Sequence, residues 1–465
     1  MTTTDKQPSL PLPPASTTAP AEWRVMIADE GSSVKMDHGF GFGLARHAWL
    51  AISAKFSAIA AMLWRMGVED PRKVVHGLKV GLALALVSLF YYLRPLYNGV
   101  GGAAMWAVMT VVVIFEYTVG GSLYKGLNRA AATLTGGGIA VGVHWIASKA
   151  GQAGELVILN GAVFILASAV TFSRFIPVIK RRFDYGATIF ILTFSLVAVS
   201  GYRVDQLVSL AQQRLSTIAI GISICLMVCM LICPVWAGSD LNVLIIRNMD
   251  KLADSLEGCV EEYFSGKEAP KARGFKCVLN SKLSEDSLAN LAAWEPAHGP
   301  FGFRHPWSQY LKVGAAMRSC AYCIEALHCS SHSEIQASEL MKRHLSEVCM
   351  KLSSKSAQVL KELSVCIENM RSSESLSHMV KEMKEAVEEV KTAMKSLPTT
   401  YNNELGLQKD DDSMMMKKRQ SFMESLPLMT VVSLLMEISV KVEGVEEEVQ
   451  KLSGLAEFKP SGDKF

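Results

Sequence analysis

Four basic side chains stand where a chain this apolar would ordinarily carry none. Lys125 and Arg129 open the apolar run that follows Gly120-Gly121, four residues apart and hence on one face of a helix. Arg214 lies inside another run, with Leu207, Val208 and Leu210 before it and Leu215, Ile218 and Ile220 after. Lys79 interrupts a third, Lys73–Leu93. A charge at the centre of a membrane-spanning helix costs about 2.5–3.5 kcal/mol on insertion scales, so such side chains face a partner, a wet cavity or a pore rather than lipid. Chemically, four cations in apolar surroundings compensate negative charge. Glu116 is the acid of the stretch Trp106–Arg129. A free carboxylate repels anions, so Glu116 reads as a structural partner. Lys79 is the weaker member of the set: it either joins the others, snorkels toward water or pairs with an acid such as Glu116.

The elements that must hold these residues follow from periodicity and composition. The chain has 465 residues, half of them hydrophobic, and a net charge of only +3. Residues 1–43 begin Pro-, Thr- and Ser-rich and are expected to be a disordered cytosolic N-terminus. No apolar core follows a basic start, so this is not read as a signal peptide. Residues 44–72 carry Leu50, Ile52, Phe56, Ile59, Met62 and Leu63 among Arg46, Lys55 and Arg65, an amphipathic cytosolic or interfacial helix.

Six apolar runs then occupy residues 73–236: Lys73–Leu93, Ala103–Val119, Leu123–Ala147, Leu156–Phe172, Ala187–Tyr202 and Leu210–Val235. Most approach the roughly 20 residues of a spanning helix, the second and fifth being short. Val111–Val113 and Ile189–Phe194 are β-rich in composition, but a lipid-exposed strand cannot satisfy its own backbone, so helix is expected there too. Arg65, Arg72, Lys73, Lys125, Arg129, Arg174, Lys180, Arg181, Arg182 and Arg247 fall on one side by this count. The positive-inside rule makes that side cytosolic, with both termini inside. Residues 237–465 show helical periodicity with a charged face, interrupted by the aromatic, breaker-rich loop Trp294–Trp307 and by a polar, mobile linker at 397–420. The fold class expected is all-α: six transmembrane helices above a cytosolic helical bundle.

Other chemistries find little support. His76 and His144 are expected to pack or line a wet surface, and His298 and His305 to hydrogen-bond within the Trp294–Trp307 loop. None accompanies a nucleophile elbow, an H-E-x-x-H or paired carboxylates, so no enzyme is expected. Cys320 and Cys323 form a C-x-x-C without a second pair, and Cys225, Cys229 and Cys233 recur every fourth residue of an apolar helix; both sets read as packing. No metal, cofactor or nucleic-acid partner is expected.

Several segments together resemble one family: E-D-P-R-K-V-V-H-G-L-K-V-G-L from Glu69, A-M-W-A-V-M-T-V-V-V-I-F-E from Ala104, K-G-L-N-R (Lys125–Arg129), R-F-I-P (Arg174–Pro177), F-D-Y-G (Phe183–Gly186), C-P-V-W-A-G (Cys233–Gly238) and W-E-P-A-H-G (Trp294–Gly299). In that order they resemble the plant aluminium-activated malate transporters, a family of anion channels. The resemblance implies a homodimer, six spans per subunit and an anion path lined by basic side chains near the two-fold axis. It matches Arg129 and Arg214, the latter in A-Q-Q-R-L-S-T, to the family's central pore arginines, agreeing with the charge argument.

The expected function is conduction of malate, and also of nitrate, chloride or sulfate, with an alternating-access organic-acid carrier or efflux protein as the alternative. No internal repeat of the kind such carriers show is present. The anion pathway is assigned to Arg129, Arg214, Lys79 and Lys125, and the inner mouth to Lys180, Arg181 and Arg182, whose charges equally satisfy positive-inside topology. Outer acids that a trivalent cation would need are sparse: Asp205 and Glu155 are the candidates, and aluminium activation is weakly supported. The plasma membrane is favoured over the vacuolar membrane.

Overall fold

The computed structural model describes residues 39–92, 104–200, 204–267, 269–333, 337–404 and 411–460. Of residues 1–43, expected to be disordered, 1–38 lie outside them, as do the first outer loop and Arg203, while 39–43 form the start of a helix. The described residues are helical, with no strand among them beyond isolated bridges such as His298–Phe301. One unit ends at Pro71 and consists of helix α1 (Gly39–Glu69), whose Trp49, Phe56, Met62 and Trp64 are all exposed.

The second unit runs from Arg72. Its first part contains α2 (Pro71–Tyr92), α3 (Ala104–Ile114), α4 (Val119–Ala147), α5 (Gly151–Ser173), α6 (Pro177–Ser200) and α7 (Val204–Leu231). Helices α4, α5, α6 and α7 each contain a stretch long and apolar enough to cross a membrane. Helix α3 is apolar but only 11 residues long. It stops at Ile114 because the chain breaks at Phe115–Thr118, where the Glu116 amide bonds the Ser122 hydroxyl (3.0 Å) and Thr118 caps the Gly121 amide (3.2 Å). The run expected through Val119 is thus two elements, and Val119 belongs to α4.

Two apolar clusters hold this part together. Ala83 and Val87 of α2, Val111 and Ile114 of α3 and Cys225, Val228 and Cys229 of α7 form one; Ala140 of α4 with Phe194 and Val197 of α6 form the other. Cys225 and Cys229 pack as expected, but Cys233 does not share their helix. It lies beyond α7, exposed, with φ 40°. Helix α5 directs Leu156, Val157, Phe164 and Phe172 outward, and none of its spanning stretch is buried.

The remainder comprises α8 (Ala237–Ser265), α9 (Phe275–Asn280), α10 (Lys282–Ala292), α11 (Trp307–Ser331), α12 (Glu339–Asn369), α13 (Ser375–Glu404) and α14 (Asp411–Leu455). These share one large core running from Leu241 and Ile245 through Tyr310, Met317, Leu352 and Leu360 to Leu435 and Val442. Of the linker expected at 397–420, residues 405–410 lie outside the description, while α13 and α14 extend into it from either side. Ser425–Leu455 of α14 also meets the length and composition of a membrane span, yet its apolar face is the core of this bundle.

Candidate functional site

The basic residues near the start of α4 are placed by its packing on α6. Asn128 ties the two helices: its Nδ2 donates to the Tyr124 carbonyl (2.8 Å) and to the Arg182 carbonyl (3.3 Å). Gly186 admits Asn128, since a Cβ there would stand 2.8 Å from the amide oxygen. This register brings K-G-L-N-R against F-D-Y-G. Tyr185 then sits between the two cations. Its hydroxyl accepts from Arg129 Nη1 at 3.3 Å, and its ring centroid lies 5.8 Å from Lys125 Nζ. Both motifs were visible in the sequence, but neither announced that Tyr185 would join Lys125 and Arg129.

Arg129 is 5% exposed. Among the described residues it forms no ion pair, and its Nε has no hydrogen-bond partner. A buried guanidinium offers five donors and ordinarily finds acceptors for them. Here one neutral phenol serves. Lys125 differs, because Glu116 binds it in an ion pair. That overturns the suggested Lys79–Glu116 pairing: Glu116 follows the break after α3, which turns it to the first turns of α4. Lys79, 3% exposed, instead donates to the Cys233 carbonyl at 2.7 Å, an acceptor freed where α7 ends.

Arg214 is half-buried and lies over the Trp106 ring of α3, 4.5 Å from its centroid. That placement stabilises a cation by about 0.5–2 kcal/mol while leaving its in-plane donors for other ligands. Arg129 and Arg214 therefore have separate aromatic supports and share no hydrogen-bond partner among the described residues. Lys180, Arg181 and Arg182 are exposed in the first turns of α6. Beside them Arg174 makes a two-pronged ion pair with Asp184, at 2.7 and 3.1 Å. Of the outer acids, Glu155 lies 3.9 Å from His144, and the side chain of Asp205 is outside the described residues.

A second polar site, not foreseen in the sequence, lies where the apolar helices meet the bundle. The Glu295 side chain is 1% exposed. Its Oε1 accepts from the amides of Gly120 (3.1 Å) and Ala237 (2.6 Å), and its Oε2 from Gly238 (3.0 Å). One carboxylate thus caps the N-termini of α4 and α8 together, where amides are orphaned and the helix dipoles favour negative charge. Trp236, the N-cap residue of α8, supplies no side-chain cap of its own. The two helix starts are also joined directly, Val119 N–H to the Val235 carbonyl at 2.9 Å. Burial pushes the Glu295 carboxyl pKa up, while the three amides and His298 pull it back. Trp294 meets Tyr124 edge-on, and His298 stacks on Trp236 at 4.0 Å. His298 bonds within its loop, to the Pro296 carbonyl, whereas His305 reaches out of it to the Tyr310 hydroxyl of α11 at 3.3 Å.

Comparison with known proteins decides the family. The aluminium activated malate transporter family matches residues 64–405. The chain belongs to that family, and it is a membrane protein. It is 46% identical over 476 residues to aluminum-activated malate transporter 10 of Arabidopsis thaliana, covering 95% of each chain. Aluminum-activated malate transporter 2 of the same plant is 45% identical, across 85% of this chain and 77% of its own length. Aluminum-activated malate transporter 1 of Triticum aestivum is 49% identical across 70% of this chain and 75% of its own. These relatives are named as transporters rather than enzymes.

Proposed function

We propose that the chain is a malate-conducting anion channel that works as a homodimer, with six spans per subunit and a path lined by Arg129, Arg214, Lys125 and Lys79. The observation that carries this reading is Arg129: a buried cation in an apolar helix, held by one phenol and unneutralised by any described carboxylate. Such a charge is costly unless an anion or water visits it.

Malate carries two negative charges near pH 7 with ordinary carboxyl pKa values. In a dimer Arg129 and Arg214 each occur twice around the path, and a guanidinium binds carboxylate through two parallel N–H donors without losing its proton. Conduction also requires release. Arg214 over Trp106 suits that, because it is anchored through its face and only half-buried. Lys125, paired with Glu116, and Lys79, bonded to a carbonyl, contribute field rather than direct ligation. The exposed Lys180, Arg181 and Arg182 concentrate cytosolic anions by focusing. Nitrate, chloride and sulfate meet the same charges. Malate is the substrate class carried in the relatives' names.

Whole-cell recording with anion substitution tests the assignment. Arg129→Glu and Arg214→Glu should each abolish malate current while the protein still reaches the membrane. Unchanged malate current and selectivity in both variants would remove the pore assignment. Wild-type turnover at carrier rates, with no resolvable unitary conductance, would favour alternating access.

A further inference from the structure

Away from the membrane helices, one cluster of side chains has the makings of a ligand set. Glu262 lies in the last turn of α8, and His328 and His332 lie four residues apart in the last turn and C-cap of α11. The (i, i+4) spacing puts both imidazoles on one face. His332 Nε2 is 3.2 Å from Glu262 Oε1, and His328 Nδ1 is 4.0 Å from Glu262 Oε2. One ligand atom from each residue falls within 4.8 Å of the other two.

We propose that Glu262, His328 and His332 bind a first-row transition-metal ion, zinc foremost, and that the ion staples the end of α8 to the end of α11. Three further observations support it. Glu262 is 9% exposed, and its Oε2 and the facing His328 Nδ1 are both buried without hydrogen-bond partners, so two inward-facing atoms await a ligand. His332 Nδ1 lies 3.0 Å from the His328 carbonyl; donating there leaves the Nε2 lone pair turned toward Glu262, the tautomer a metal-bound imidazole adopts. Both helices present their C-terminal ends, whose dipoles favour a cation.

The spacing is close to what the ion needs. Tetrahedral zinc with bonds of about 2.0–2.1 Å separates its ligand atoms by roughly 3.3 Å. His332 and Glu262 already meet that separation, and His328 needs only a small ring movement. Two nitrogens and one oxygen select zinc, cobalt, nickel or copper over magnesium and calcium, which prefer all-oxygen shells. His332 is 51% exposed and gives the ion an entry path and room for a water as fourth ligand.

The test uses the full-length protein in nanodiscs, stripped with chelator and titrated with zinc by calorimetry. Cobalt absorbance reports ligand geometry. Wild type should bind one ion per chain and melt at a higher temperature with zinc. His328→Asn, Glu262→Gln and the half-exposed His332→Asn should each weaken binding by about 10–100-fold. His344→Asn, a histidine elsewhere on the bundle, should bind as wild type. Because His332→Asn changes an exposed group, its fold should survive even if Glu262→Gln disturbs the bundle. Saturable zinc binding that persists unchanged in His332→Asn and His328→Asn, or no wild-type binding at micromolar zinc, would overturn the site. Neither result bears on malate current, so this proposal and the channel reading fail separately.

Discussion

Glu295 and Arg129 are both buried charges, and the protein treats them in opposite ways. Glu295 is well served: three backbone amides at 2.6–3.1 Å donate to its carboxylate, with His298 nearby. Arg129 is left short, with one phenol at 3.3 Å and an unpartnered Nε. A buried charge whose two oxygens both accept backbone hydrogen bonds is a structural fastener. One with spare donors carries a cost that packing alone does not explain, and that is the signature expected where a transient ligand completes the site. The contrast predicts that removing the first wrecks the fold and that removing the second spares it.

The largest effect on stability should follow Glu295→Ala. It leaves three amides at two helix starts unpaired, at about 1–3 kcal/mol for each buried donor, against a typical total stability of about 5–15 kcal/mol. Thermal unfolding in detergent should show a large drop or no folded protein. Glu295→Gln should be milder, since one amide oxygen still accepts while its NH2 opposes a helix N-terminus. An Ala variant that melts like wild type would dissolve the contrast.

Next is Gly120→Ala. A Cβ at Gly120 would stand 2.3 Å from the Leu291 carbonyl oxygen, so α4 and α10 must separate and stretch the Glu295 bonds. Overpacking of this kind costs about 1–3 kcal/mol. The variant should lower the melting temperature without altering anion selectivity in the channels that do fold.

Arg129→Met sits at the other pole. It removes the underserved charge and keeps the volume, so melting temperature should hold or rise, as apolar replacement of buried ionic groups often allows. Malate current should nonetheless fall by about tenfold or more, equivalent to at least about 1.4 kcal/mol. Loss of stability together with loss of current would make Arg129 a fastener like Glu295.

How far the sequence shows these two residues follows from the range of their signals. Arg129 and Arg214 are visible because a charge inside apolar sequence is a local contradiction, readable in one window. So are the long helices α5 and α7, read from composition, whereas α14 by composition alone also qualifies as a span and is placed by its packing in the bundle core. Glu295 gives no local sign, because its partners lie 57, 58 and 175 residues away. Tyr185 is hidden for the same reason, an amphipathic side chain whose meaning depends on the α4–α6 register. The Lys79–Glu116 pairing went astray because it assumed α3 continued through Val119. The break at Phe115–Thr118 redirects Glu116 to Lys125 and leaves Lys79 to the Cys233 carbonyl.

The smallest expected effect concerns the loop that carries Glu295. Burial, with His298 nearby, pushes the His305 pKa down to about 4 from an ordinary value of 6.5. The folded state therefore holds this imidazole neutral, donating to or accepting from Tyr310. Between those two values the unfolded chain binds more protons than the folded one, so stability rises with pH across that window. His305 contributes fully above about pH 6.5, and its contribution is lost as pH falls toward 4. Glu295, with its pKa raised, bends the profile the other way, so the informative quantity is the difference between wild type and His305→Gln. The variant should show a shallower decline of melting temperature between pH 7 and 5 than wild type. Equal slopes would mean that His305 is solvated rather than held by the loop. Through His305, acid should therefore weaken the loop that carries Glu295, even though the Glu295 carboxyl itself responds in the opposite sense.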